Sequence, residues 1–191
     1  MTADYLIDPA VFLIDTLFSL YIFALLLRFL FQWVDADYYN PISQFLIRIT
    51  HPPLRLLRRF IPAIGRVDTA SLALMFGLQM LDGYLMFWLR DTGTAIPALL
   101  VWSFQQLLEL LLNLYFFAIG IRAVLSWVAP GVYNPATSLL YSLTEPLLRG
   151  SRRLLPPIGA VDLSPLIPLI GIQLAKMLLI PPLQQLAALL G

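Results

Sequence analysis

The sequence predicts an all-α membrane protein of about four transmembrane helices, set as two parallel-repeated helical hairpins with short amphipathic interfacial helices in each connecting loop. Three observations predict it. Hydrophobic residues fill 60% of the 191 positions and charged residues only 12%, which lies outside the range of soluble domains. The charges are bunched between long apolar runs, the pattern of a chain that crosses a bilayer. The chain also matches itself without a gap when displaced by ~94 residues. Across that displacement Arg28 meets Arg122, Trp33 meets Trp127, Asn40-Pro41 meets Asn134-Pro135 and Pro52 meets Pro146. Arg55, Arg58 and Arg59 meet Arg149, Arg152 and Arg153, and Pro62, Gly65 and Asp68 meet Pro156, Gly159 and Asp162. The units are residues 1–95 and 96–191.

Taken in order, the first span covers residues ~9–34 and closes on Trp33 as an interfacial anchor, with Arg28 close enough to that interface to snorkel. Asp4 and Asp8 precede it and no Lys or Arg does, so it reads as a retained span rather than a cleaved signal. The second span covers ~69–89, and the third, ~96–128, repeats the first. The last runs over ~165–180, with Ser164 as N-cap and Pro165 at its first position, until Pro181 and Pro182 break it and leave residues 183–190 as an interfacial tail. Two spans per unit leave both copies in one orientation. Arginines crowd the loops over residues 39–68 and 133–162 while Arg90 stands alone on the other side. The positive-inside rule then places both loops in the cytoplasm and both termini outside a bacterial inner membrane.

Each loop opens on Tyr-Asn-Pro, with Asn40 and Asn134 as caps and Pro41 and Pro135 in the first turn. Thr50 and Thr144 are placed to cap a second short helix whose first turn holds Pro52 or Pro146. At ~100° per residue that helix sets Leu54, Leu56, Leu57, Phe60 and Ile61 against Arg55, Arg58 and Arg59, and the second copy sets its leucines against Arg149, Arg152 and Arg153. Such a segment lies in a membrane surface with its arginines toward anionic phospholipid, each basic residue contributing ~1 kcal/mol. The alternative is that the arginines only set topology. Pro62, Gly65 and Asp68, with Pro156, Gly159 and Asp162, turn the chain and cap the returning helix.

Asp15, Asp82, Glu109 and Lys176 fall within the spans, in the outer half of the bilayer. Charges at such depth are costly and normally pair. Lys176 is therefore expected to face at least one of Asp82, Asp15 and Glu109, with Ser19, Gln79, Gln105, Gln106, Asn113 and Gln173 as further polar contacts. The cluster reads either as helix–helix glue or as a cation or proton site.

Cysteine is absent and His51 is the single histidine, which removes disulfides and any Cys/His metal set, and no cofactor is expected. There is no Gly-rich phosphate loop and no nucleophile beside a base, so an enzyme is the least favoured class. Twelve Lys and Arg balance eleven Asp and Glu, which argues against nucleic acid as a partner.

The doubled pattern Tyr-Asn-Pro, Thr-x-Pro-x-Leu-Arg, Arg-Arg-x-x-Pro-x-Ile-Gly-x-Val-Asp closely resembles the YggT (YlmG-like) family of integral membrane proteins, here in tandem form. One departure is visible: Asp68-Thr69-Ala70-Ser71 stands where the second copy has Asp162-Leu163-Ser164-Pro165, so the two returning helices are expected to start differently. The resemblance implies roles in osmotic-shock tolerance and potassium balance, in cell division and nucleoid distribution, or in assembling haem onto the cytochrome bf complex. Two functional classes follow. One is a membrane organiser or assembly factor that holds anionic lipids or other membrane proteins. The other is a cation transport component, which with four spans calls for a homo-oligomer. The strength of the repeat in the loops favours the organiser.

Overall fold

The structure, a computed structural model, describes residues 4–93, 95–128, 131, 133–154 and 163–191. The helices are α1 (Asp4–Trp33), α2 (Pro41–Leu57), α3 (Thr69–Leu89), α4 (Ile96–Val128), α5 (Pro135–Leu154) and α6 (Leu166–Leu190). Four of them, α1, α3, α4 and α6, are long and apolar enough to cross a membrane, the number the sequence predicts. Among the described residues no strand forms, and one isolated antiparallel bridge pairs Ile64 with Val67.

Each long helix is apolar on nearly every side, as a helix must be when its outer face meets lipid chains. Phe12, Leu13 and Leu17 of α1 and Met177 and Leu178 of α6 point outward. The inward contacts are selective. The main partner of α1 is α3, that of α4 is α6, and α3 against α4 joins the two pairs. Gly83 makes the α3–α4 approach possible, because a methyl group there would stand 2.5 Å from the Trp102 ring and 2.8 Å from Leu99. Small residues play this part where helices close up without water to drive them.

The buried core lies toward the end of the bundle that carries α2 and α5. Ile22, Leu25, Leu26 and Leu30 of α1 meet Leu46 and Leu54 of α2, Met75 of α3, Leu114 of α4 and Leu139 and Leu143 of α5. The two short helices thus pack on the bundle through a stripe, Ser43, Leu46, Thr50 and Leu54 in α2, at the 3–4 residue spacing of one helix face.

The ends of the first two long helices are closed by aspartates in the left-handed region, Asp35 at φ 52° and Asp91 at φ 51°. In each case the next N–H reaches back to a carbonyl in the last turn, Ala36 to Phe31 at 2.9 Å and Thr92 to Phe87 at 3.0 Å, the pairing that satisfies orphan carbonyls at a helix end. Between α2 and α3 the chain reverses at Gly65, φ 61°, in the first central position of a two-residue turn, where a side chain would be strained.

Three expectations need correction. Each loop holds one helix, not two: α2 runs unbroken through Thr50, Pro52 and Pro53, and α5 through Thr144 and Pro146. The threonines cannot cap, since their hydroxyls donate to Leu46 O at 2.6 Å and Leu140 O at 2.7 Å within the helix. Pro53 leaves the Ile49 carbonyl without its helical donor, and the Tyr21 hydroxyl of α1 supplies one at 3.2 Å. Second, α6 continues through Pro181 and Pro182 to Leu190, because this stretch packs on α4: Ala187, Ala188 and Gly191 share a cavity wall with Ala98 and Trp102. Such packing lets a membrane helix tolerate proline. Third, the cap of α6 is Pro165 with no side-chain bond, not Ser164. The two returning helices do start differently, since Asp68 caps α3 by accepting from the Ser71 N–H at 3.4 Å.

Candidate functional site: two arginine-anchored helices

Arg28 projects from α1 and Arg122 from α4, at matched positions. The Arg28 guanidinium donates to the Thr50 hydroxyl at 2.7 Å, and Arg122 donates to the Thr144 hydroxyl at 2.8 Å. Both pairs are 22 residues apart. Each threonine thus accepts from the long helix while donating to its own, and the short helix is fastened to the span before it. Arg28 does not snorkel, as the sequence suggested; it is 9% exposed, because α2 folds back over it. Hydrogen bonds to charged groups are worth about 1.5–3 kcal/mol, so these two fix where the short helices sit.

The surroundings of the two arginines differ. Arg122 also meets the Glu145 carboxylate at 2.7 Å, the Tyr141 carbonyl at 3.3 Å and the Tyr141 ring at 4.8 Å from its centroid. Glu145 takes Arg152 at 3.2 Å and Arg149 at 4.0 Å as well. Burial pushes its carboxyl up, but the Arg122 hydrogen bond and the charges of Arg122, Arg152 and Arg149 outweigh that and hold it below the usual value. In the first repeat the matching position is His51. There Arg58 pairs instead with Asp68, which also accepts the Ser71 hydroxyl at 2.6 Å. Burial raises the Asp68 carboxyl; hydrogen bonds from Arg58 and Ser71 and the Arg58 charge overcome this and leave it lowered. Pro156, Gly159 and Asp162 lie outside the described residues.

The short helices also touch each other. Asn40 caps α2 by accepting the Ile42 N–H at 2.9 Å, and its amide donates to the Pro135 carbonyl at the start of α5 at 2.8 Å. Asn134 accepts the Thr137 N–H at 2.9 Å. Pro41 and Pro135 occupy the first helical positions. Pro52 and Pro146 sit exposed inside their helices, and Pro62 lies in the turn after α2, where its carbonyl accepts from Thr69 at 2.6 Å. Arg55, Arg59, Arg149 and Arg153 point to the exterior, beside the exposed Phe45, Leu56 and Phe60 of the first repeat. Arg58 and Arg152 are held by the carboxylates named above.

The ionisable groups of the spans do not form one cluster. Asp82 of α3 is 1% exposed; Gln79 donates to one oxygen at 3.4 Å and the other has no partner among the described residues. Asp15 of α1, which accepts from Ser19 at 3.5 Å, lies near enough for its charge to act on Asp82. Glu109 lines a cavity of about 550 Å³ with Gln105, Gln106 and Gln184. Lys176 donates to Asn113 at 2.7 Å, not to an acid. Among the described residues Lys176 has no acid within ion-pair distance: α6 packs on α4, which presents Asn113, while Asp15 and Asp82 belong to the α1–α3 pair and Glu109 of α4 lines the glutamine-walled cavity. Among the described residues no three of His, Asp and Glu converge as a metal site would require.

Comparison with known proteins finds the CCB3/YggT family matched twice along this chain, over residues 7–89 and again over 101–183. The chain belongs to the CCB3/YggT family. The second match is displaced from the first by the same interval that brings Arg28 onto Arg122. The chain is 45% identical to an uncharacterized protein of Pseudomonas aeruginosa over 184 residues, 95% of this chain and 92% of that protein. It is 39% identical to the uncharacterized protein YggT of Escherichia coli K12 over 156 residues, 82% and 81% of the two chains. An uncharacterized protein of Vibrio alginolyticus is 38% identical over 170 residues, 88% and 91%. No solved structure matches at a significant level.

Within this CCB3/YggT chain, sequence reasoning passed over the Arg–Thr anchors. Position by position, the sequence makes Arg28 an interfacial residue and Thr50 a cap. The signal was available in the repeat itself, since Arg28 and Thr50 recur together as Arg122 and Thr144. The asymmetry between His51 and Glu145 was equally visible and carried no meaning until the guanidinium was seen beside it.

Proposed function

We propose that this chain is a non-enzymatic organiser of a bacterial inner membrane, and that α2 and α5 lie as amphipathic helices on the cytoplasmic leaflet. The observation that carries the reading is the anchoring of both helices at one end of the bundle with Arg55, Arg59, Arg149 and Arg153 left facing outward. A buried stripe fixes each helix to the spans. Exposed apolar side chains beside outward-facing arginines then suit the boundary between acyl chains and lipid phosphates. The arginine-rich end faces the cytoplasm by the positive-inside rule, and the termini lie outside. Anionic phospholipids are the first partners; other membrane proteins dock on the same face, and tolerance of osmotic or envelope stress is the expected physiological output. The test is reversal of Arg55 and Arg59 to Glu, which spares the Arg58–Asp68 pair. The variant should insert and fold normally, bind vesicles containing phosphatidylglycerol at least about threefold more weakly, and fail to restore osmotic tolerance to a strain lacking the protein. Unchanged binding and full rescue would remove the proposal.

A second reading, passage of potassium ions or protons through an oligomer, draws on Asp82, a buried carboxylate with one oxygen unpartnered among the described residues and Asp15 nearby. Buried intramembrane acids commonly mark ion pathways. Ion flux in proteoliposomes that disappears in Asp82→Asn would favour it over the organiser; absence of flux under any gradient would retire it.

A further inference from the structure

A cavity of about 690 Å³ opens beside Arg28, walled in part by Ser43, His51, Arg58 and the apolar Phe31 and Leu46. We propose that this cavity is a binding site for a phosphoryl group, one per chain, completed in the first repeat by a ligand where the second repeat uses its own glutamate.

The two repeats supply the argument. In the second, the guanidinium of Arg122 is neutralised by Glu145. In the first, Arg28 makes one hydrogen bond, to Thr50, and no carboxylate lies within ion-pair distance of it among the described residues. Two carboxylates do belong to the cavity. Asp68, whose charge reaches Arg28, is bonded to Arg58 and Ser71. Asp35 is largely exposed and turns to Arg66 at 3.6 Å. A guanidinium that is 9% exposed and holds five N–H donors in a planar fork is therefore left with donors to spare and no carboxylate bonded to it among the described residues.

The other walls point the same way. The residue matched to Glu145 is His51, which replaces an acceptor-only group with one able to donate. Ser43, 6% exposed, has a hydroxyl with no partner among the described residues. Its counterpart Thr137 accepts the Asn134 N–H at 2.9 Å and donates to the Asn134 carbonyl at 3.0 Å. So the guanidinium and the hydroxyl that Arg122 and Thr137 satisfy within the second repeat are left with donors to spare at Arg28 and Ser43 in the first. Arginine, histidine and hydroxyl donors arriving from different helices suit a tetrahedral anion with several acceptor oxygens. A lipid headgroup and free phosphate both present that chemistry. The site does not rest on the surface reading, since Arg55 and Arg59 are not part of it.

The decisive variant is His51→Glu, which gives the first repeat the internal carboxylate of the second and so preserves folding while filling the site. The full chain in neutral detergent is titrated with phosphatidylglycerol, with phosphatidylcholine and with inorganic phosphate, and bound equivalents are read by native mass spectrometry. Wild type should retain one equivalent of phosphatidylglycerol or phosphate, and His51→Glu should weaken it about tenfold with an unchanged melting temperature. Ser43→Ala should weaken it by a smaller factor, and Arg55→Glu/Arg59→Glu should leave the single equivalent intact. Retention of phosphatidylglycerol that phosphate does not displace identifies a lipid headgroup; tight phosphate without phosphatidylglycerol identifies the free ion. No preference for either over phosphatidylcholine, or undiminished binding by folded His51→Glu, overturns the proposal.

Discussion

In the first repeat the Arg28 guanidinium ends on the Thr50 hydroxyl; in the second, that of Arg122 goes on to the Glu145 carboxylate and the Tyr141 ring. The fastening is the same and the charge balance is not. Anchoring a surface helix to a span needs one directional bond between fixed positions, so it repeats. Neutralising the guanidinium can be done from within the chain or from outside it, and here the two copies part. The short helix of the second repeat gathers Arg122, Arg149 and Arg152 around one acid, while the first spreads its basic groups over Asp68 and the open cavity.

The sharpest way to break this comparison is to remove each arginine in turn. Arg122→Met removes the Thr144 bond and the shortest ion pair of Glu145, leaving that carboxylate to Arg152 and Arg149, and should cost about 2–3 kcal/mol, read as a lowered melting temperature in detergent. Arg28→Met gives up the Thr50 bond but also removes a buried charge that no carboxylate neutralises, and without ligand it should cost less than Arg122→Met, about 1.5 kcal/mol. Equal losses would mean that the copies are held alike. Next in size is the acid limb of stability. Glu145 titrates below its ordinary value when folded, so its contribution is complete above the ordinary carboxylate range, about pH 4, and drains away as pH falls through the lower folded value. Glu145→Gln should flatten the melting temperature over that range, and the slope left over belongs to Asp68, lowered in the same sense. The smallest effect is expected at Asp91, which ends α3 with a positive φ, whereas α6 runs on past the matching residue Gln185. Asp91→Gly should stabilise by up to about 1 kcal/mol, measured by thermal melting, because glycine adopts that backbone without strain.

How far the fold was legible depends on which signal each element carries. The four spans are written in length and hydropathy, and Asn40 and Asp68 announce helix starts through short side chains that can reach a backbone N–H. Pro181 and Pro182 misled because proline's local cost was weighed without α4 alongside, and tertiary packing decides there. Thr50 misled for a similar reason: a threonine followed by proline looks like a cap until an arginine from another helix claims its oxygen. Charge alone gives Lys176 an acidic partner, whereas the helix that packs on it offers Asn113. Asn40 and Asp68, whose partners lie within one turn, could be read directly. Residues whose partners are more than twenty residues away could be read only as repeated pairs.

The single bond from the Asn40 side chain to the Pro135 carbonyl has a further consequence. Two identical half-length chains meeting about an axis would have to form such a junction twice or not at all, and every feature near it would come in pairs. Fusion of the halves lifts that obligation. It allows one end of the seam to be sealed and the other left receptive, at a stoichiometry written into the chain itself.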